Sequence, residues 1–159
     1  IAIAKALEIK NILVCDLDDS KLEAAREMGA DQTLNPGQDK ALAQLSALTG
    51  GGPRAVVDTV GAEGTSQLGV ASLQKGGRYV IVGLFGGGLT LALPTLPLRA
   101  ISIIGSYTGN LAELKELIDL ARSGKVKPLP VTSRPMEEVG NTLDDLRDGK
   151  IVGRVVLSN

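Results

Sequence analysis

The sequence predicts an α/β protein built on an open parallel sheet. Short apolar runs rich in Val, Ile and Leu alternate several times with segments of helical periodicity. Each connection between runs is long enough to hold a helix, which implies parallel strands joined by right-handed crossovers. The runs are apolar at successive positions, as expected of strands covered on both faces.

Along the chain, Ile1–Leu7 reads as the second half of a helix. Asn11–Asp16 is an apolar run ending in an acid and reads as a buried strand. Asp18 or Asp19 caps the next helix, with Leu22, Ala25 and Met28 as its stripe and Gly29 at the left-handed stop. Gln32–Asn35 is a short strand ended by Pro36. Ala41, Leu45 and Leu48 mark a helix broken by Gly50–Pro53. Arg54–Asp58 is a strand followed by Gly61. Leu68, Ala71 and Leu73 suggest a helix closed by Gly76 and Gly77. Arg78–Gly83 and Ala100–Ser106 are further strands. Asn110 and Glu113 form a capping box, and Leu111, Leu114, Leu117, Ile118 and Ala121 share one helical face. After Gly124 the texture changes. Pro128, Pro130 and Pro135 predict an extended surface segment, Met136, Val139, Leu143 and Leu146 a helix, and Gly153–Leu157 a last strand.

Composition narrows the function. Formal net charge is −1, so no basic surface argues for nucleic acid, and three aromatic residues (Tyr79, Phe85 and Tyr107) offer no stacking platform. With one cysteine and no histidine, the chain can build neither a disulfide framework nor a His/Cys zinc cage, and it has no histidine base. Cys15 is expected to be a small core hydrophobe, and the cysteine usage fits a cytoplasmic protein. Tyr79–Leu98 carries no charge and approaches membrane-span length. Gly86–Gly88, Pro94 and Pro97 interrupt it, so no membrane helix is expected; its short apolar runs look strand-like.

Asp16 is the first site candidate. An acid at the end of the second strand of a dinucleotide-binding sheet accepts hydrogen bonds from the adenosine ribose hydroxyls and repels the 2′-phosphate of NADP. It normally lies about 20 residues beyond a glycine fingerprint. Counting back that far from Asp16 passes residue 1, so the fingerprint is expected upstream, with Ile1–Leu7 ending its helix. No G-x-G-x-x-G occurs in the chain; Gly83, Gly86 and Gly88 have the wrong spacing. Asp16 could instead start a turn or cap the next helix.

Taken in order, the motifs resemble the C-terminal half of a medium-chain, zinc-type alcohol dehydrogenase. Val14–Asp31 resembles that family's second strand, helix and Gly-Ala-Asp turn. Val56–Gly61 is similar to its fourth strand, Gly76–Gly83 to its fifth and Ile104–Ser106 to its sixth. Gly124–Pro128 and Gly149–Val156 resemble its closing segments. The resemblance implies a Rossmann-type doubly wound sheet lacking its first strand and glycine-rich loop. It implies a truncated NAD-binding domain at residues 1–127. Residues 128–159 would form a C-terminal tail packing on a catalytic domain outside the chain.

The resemblance also implies roles. Asp16 and Lys21 would meet the ribose hydroxyls, with Leu17 flanking the adenine. Thr59 and Val60 would lie along the adenosine end. Val82, Gly83 and Leu84 would sit beside the nicotinamide, and backbone groups of Val82, Ser106 and Thr108, with Tyr107 between the last two, would hold its carboxamide. Arg154 would approach the pyrophosphate. No residue of the chain is assigned as catalytic or as a metal ligand. Zinc would belong to the full-length parent, and the isolated chain would be inactive.

Each role has a plainer competitor. Lys21 suits a solvated first-turn lysine, and Val60, Val82 and Leu84 would be apolar in any buried sheet. Asp58 reads as a structural hydrogen-bonding acid, because buried polar groups need partners.

The implied activity is NAD-dependent interconversion of alcohols with aldehydes or ketones. A zinc-independent NADPH quinone or enoyl reductase, and a non-enzymatic NAD-binding or dimerisation module, are the alternatives. The expected partners are a small-molecule substrate and a second copy, as a homodimer or dimer of dimers through Ala100–Ser106; no nucleic acid or membrane is expected. With the first strand absent, three outcomes are open for the sheet. The strand could belong to a longer parent chain, which a break in the sheet beside Asn11–Asp16 would favour; the gap could close by pairing of its flanking strands; or another chain could fill it.

Overall fold

The computed structural model describes residues 1–159. A short helix α1 (Ala2–Ala6) leads to β1 (Leu13–Cys15), α2 (Asp19–Glu27), β2 (Gln32–Leu34) and α3 (Ala41–Thr49). Then follow β3 (Ala55–Asp58), α4 (Glu63–Ser72), β4 (Arg78–Ile81), α5 (Thr95–Arg99), β5 (Ser102–Gly105) and α6 (Leu111–Arg122). The tail contains β6 (Val131–Pro135), a 3₁₀ turn at Met136–Glu138, α7 (Val139–Arg147) and β7 (Arg154–Ser158).

All strand pairings are parallel. β1 pairs with β2, and β3–β4–β5 form a three-stranded sheet. The sheet is therefore open between β1 and β3, as one of the three outcomes foresaw; the two flanking strands do not pair directly. β6 and β7 pair parallel through the α7 crossover, so the tail is a compact βαβ unit in which the extended segment after Pro130 is a strand.

Local chemistry explains most boundaries. Asp18 caps α2 by accepting from the Ser20 amide at 2.8 Å, and the Asn110–Glu113 capping box at α6 is formed in both directions. Gly29 takes a φ of 101°, the left-handed stop expected after α2. Within the uncharged stretch, Thr95–Arg99 is a helical turn rather than a strand; Pro94 presets its start. Arg99 then donates to the carbonyls of Val70, Ala71 and Leu73, completing the bare end of α4.

The main core lies between α4 and the three-stranded sheet. Val70, Leu73, Tyr79 and Ile101 are buried there, and Tyr79 is wholly enclosed. The buried residues of α4 are Ser66, Gly69, Val70 and Ser72, followed by Leu73 at its C-cap, whereas Ala71 of the expected stripe is exposed. Gly69 sets this phase, because a Cβ there would collide with the Tyr79 ring.

Two other expectations change. Cys15 is exposed rather than in the core, since β1 has a neighbour on one edge alone. The apolar faces of α6 and α7 are also exposed, among them Leu111, Leu114, Leu143 and Leu146. The chain leaves β5 in one sheet and reaches α2, beside the other, where Lys127 Nζ donates to the Glu27 carbonyl at 2.6 Å. The α6 helix, which precedes this crossing, buries none of its residues.

Candidate functional site

Within each of the two main sheets every strand runs the same way, so each sheet presents its carboxyl ends along one edge. Ligands of open α/β sheets bind in the crevice outside such ends. The turn after β1 brings Asp16 and Leu17 to this edge of one sheet. To that of the other, the turn after β3 brings Thr59 and Val60, the loop after β4 Val82–Leu84, and the loop after β5 Ser106–Thr108.

The last three groups are tied together by backbone contacts. Val82 N and Gly83 N both donate to the Asp58 carbonyl, at 2.9 and 3.0 Å. Phe85 N donates to the Val60 carbonyl at 3.0 Å, and Ser106 N to the Ile81 carbonyl at 2.8 Å. Gly61 and Gly83 touch backbone to backbone, and a Cβ on either would overlap the other's segment. Glycine at both positions lets the two turns cross.

Asp58 anchors this crossing from below. Its carboxylate, 6% exposed, accepts from Val60 N and Gly61 N at 2.9 Å each. The other oxygen accepts from Thr65 Oγ1 at 2.7 Å and from the Tyr79 hydroxyl at 2.5 Å. Burial works against the charge, but the bonds from Tyr79, Gly61, Thr65 and Val60 outweigh it and hold the carboxyl below its ordinary range. Burial and then the Asp58 bond push the Tyr79 phenol up to about 12. The structural role expected for Asp58 is thus realised, and its partners Thr65, Ser66 and Tyr79 complete the network. Sequence reasoning missed them because no periodicity links positions brought together by two different elements.

The apolar candidates are not sheet filler. Val60 and Val82 are 46% and 41% exposed, Leu84 80%, and Leu17 and Tyr107 are exposed as well. They form an open apolar rim along the carboxyl edge. Thr108 adds a φ of 51°, a left-handed conformation uncommon for a β-branched residue, which turns the loop after β5.

Across the gap, Asp16 Oδ1 accepts from the Asp18 amide at 3.0 Å, the turn role weighed for it, while Oδ2 has no protein partner. Asp16 N donates to the Leu34 carbonyl at 3.3 Å. Asn35, at the end of β2, closes the same turn. Its Nδ2 donates to the Leu17 carbonyl at 3.0 Å and to Asp19 Oδ1 at 2.9 Å, while its Oδ1 accepts from Gly37 N at 3.0 Å. The Asn35–Pro36–Gly37 run, a turn signal, was the available hint.

Two cations sit elsewhere. The Lys21 ammonium lies beside Gly149 of the tail, and the side chain lines a cavity of about 550 Å³ with Val14, Lys127 and Gly153. Arg154 is exposed, caps its own neighbour through the Gly153 carbonyl and forms no ion pair. No cluster of three His, Cys, Asp or Glu side chains stands ready for a metal ion.

Comparison with known proteins places this geometry. Residues 1–123 match the profile of the zinc-binding dehydrogenase family. The chain is 37% identical over 158 residues to an NAD-dependent alcohol dehydrogenase of Sulfurisphaera tokodaii, covering 99% of this chain and 46% of that protein. It is 36% identical over 154 residues to an alcohol dehydrogenase of Geobacillus stearothermophilus, covering 97% of the chain and 45% of the relative. Among solved structures, the alcohol dehydrogenase of Aeropyrum pernix superposes with a TM-score of 0.90 at 31% identity, over 99% of this chain and 45% of that one. The chain therefore spans about half the length of the curated relatives it matches.

Proposed function

Since the chain belongs to the zinc-binding dehydrogenase family, we propose that it forms the adenosine-binding and nicotinamide-orienting part of an NAD site in an alcohol oxidoreductase. The observation that carries this is Asp16, whose Oδ2 has no hydrogen-bond partner at the carboxyl end of β1, in a parallel pair separate from the sheet whose loops carry Val60, Val82 and Leu84.

The residues fit half of the cofactor well. Asp16 Oδ2 accepts from the ribose hydroxyls and repels a 2′-phosphate. Leu17 flanks the adenine, Thr59 and Val60 support the adenosine end, and Val82, Gly83 and Leu84 form an apolar floor for the nicotinamide. Backbone groups of Val82, Ser106 and Thr108 hold the carboxamide, with Tyr107 beside them. Lys21 and Arg154 are the cations offered to the ribose and the pyrophosphate. Bound NAD supplies hydride exchange at the nicotinamide C4. The chain's own part is to bind and orient the ring and to exclude water from one face.

Zinc does not fit these residues, which bring no three His, Cys, Asp or Glu side chains together. Zinc ligands and the substrate pocket belong to a catalytic domain, on which residues 128–159 pack through the exposed face of α7. The gap between β1 and β3 is where a strand bearing a glycine loop would pair and bring helix N-terminal amides to the pyrophosphate. The chain alone is therefore expected to bind NAD weakly and to turn over no alcohol. Alcohol-dependent NADH formation by the purified chain would contradict this.

A second copy pairs along β5, an edge strand whose outer side has no partner. Ile104 is 42% exposed there, while Ile103 packs into the core, so light scattering of Ile104→Lys tests the interface. No helix is long and apolar enough to cross a membrane, and a cytoplasmic location is proposed from cysteine usage alone.

The test of the cofactor reading is nuclear magnetic resonance titration of the chain with ADP-ribose. Weak binding that falls on Asp16→Ala supports it. Binding unchanged by that substitution overturns it.

A further inference from the structure

We infer that Asn35 is a positioning residue for cofactor selection, fixing Asp16 where it can discriminate against a 2′-phosphate; this rests on the reading of Asp16 as the ribose acceptor. Discrimination requires more than a carboxylate. The charge must be unable to swing away, because a mobile acid would let a 2′-phosphate settle beside it.

Asp16 sits one residue beyond β1, where a single long bond to β2 is the last the sheet makes to this turn. Its own contacts are few: one amide bond to Asp18 and one to the Leu34 carbonyl. Asn35 supplies the remaining constraint. One amide group donates two bonds, gripping Leu17 through its carbonyl and α2 through Asp19. Its oxygen is fixed in turn by Gly37 N. The turn bearing Asp16 is thus held from β2, the strand on the side away from the gap.

Gly37 completes the clamp. A Cβ there would stand 3.3 Å from Leu17 Cδ2 and 3.1 Å from Asn35 Oδ1, so the turn lies directly against Leu17. The residue type is specific. Aspartate at position 35 could not donate to Leu17 or Asp19 and would set a second carboxylate against Asp19. Serine would keep the bond from Gly37 N, as a short hydroxyl turn does, and lose the bridge.

The test compares ADP-ribose with its 2′-phosphate derivative on the intact chain, by titration at millimolar ligand. The readout is the ratio of the two affinities, which general weakening of the fold leaves unchanged. Asn35→Ser is expected to lower the preference for ADP-ribose about three- to tenfold, the scale of one lost positioned hydrogen bond. Asp19→Ala, at the exposed start of α2, removes half of the bridge without touching Asn35. It is expected to lower the ratio less, and it covers the case in which the Asn35 variant does not fold. Asp19→Asn keeps the acceptor and should restore the ratio.

Outcomes separate cleanly. If Asp16→Ala leaves the ratio unchanged, or if the chain binds neither ligand, the ribose-acceptor reading fails and this inference with it. If Asp16→Ala lowers the ratio while Asn35→Ser and Asp19→Ala do not, Asp16 stands and the positioning role of Asn35 is overturned.

Discussion

The two halves of the sheet are held by different means. β3, β4 and β5 close over Tyr79, Val70, Leu73 and Ile101, and a buried carboxylate with four donors fixes the turns above them. β1 and β2 have one buried strand residue, Leu34, backed by Leu22 and Ala25 of α2. Their turns depend on exposed or half-buried polar staples: Lys5 to Asp31, Asp18 to Ser20, and Asn35 to Leu17 and Asp19. The half proposed to orient the nicotinamide is thus built into a core, and the half proposed to select the nucleotide is built on a surface. On that proposal, surface substitutions are expected to alter selectivity between NAD and NADP, while the β3–β4–β5 half is expected to tolerate few changes.

The sharpest way to break this contrast is to empty the core. Tyr79→Ala removes the one fully enclosed side chain and leaves Asp58 short of a donor, so denaturant unfolding should show a loss of about 3–5 kcal/mol. Gly61→Ala comes next. Its φ of 72° and the Gly83 backbone both exclude a Cβ, and a loss of about 2–3 kcal/mol is expected in the same measurement. Tyr79→Phe keeps the ring and deletes the hydroxyl, for about 1–2 kcal/mol.

That last variant also carries a pH signature. The folded Asp58 carboxyl lies below its ordinary range, so its contribution is present above the unfolded value and is lost as pH falls through the folded one. The Tyr79 phenol moves from 10.0 to about 12, so its contribution is complete below pH 10 and lost as pH rises toward 12. Thermal melts should show an alkaline decline in the parent chain that Tyr79→Phe removes.

The smallest effect belongs to the other half. Lys5→Ala breaks an ion pair at 2.8 Å whose partners are each more than a third exposed, and should cost less than about 1 kcal/mol. A loss as large as that of Tyr79→Phe would erase the distinction between the halves.

The fold was largely legible in the residues. Asp18, Gly29, Asn110 and Gly124 mark helix ends whose chemistry is local, and the structure keeps them. The strand runs were legible because parallel strands need apolar residues at successive positions. The short helix Thr95–Arg99 was not, since five residues give periodicity nothing to act on. The face of α4 was misplaced because Gly69, not a large apolar residue, meets the Tyr79 ring. For the proposed site, Asp16 could be named from its place after an apolar run, whereas Val60, Val82 and Gly83 were reached only through the resemblance to the alcohol dehydrogenase family. Asn35, Thr65 and Tyr79 could not be named, because each acts on a partner distant in sequence.

By itself the sequence determined the order of the longer strands and helices, though not α5 or β6, together with the caps and the acid after the first strand, because these follow from propensities and hydrogen bonds within a few residues. Only the tertiary structure decided that the sheet stays open between β1 and β3, that Val60, Val82 and Leu84 face outward, and that one oxygen of Asp16 is left free. Those outcomes depend on which edges and carboxylate oxygens find partners. Partners are assigned when distant segments meet, at distances no local pattern encodes.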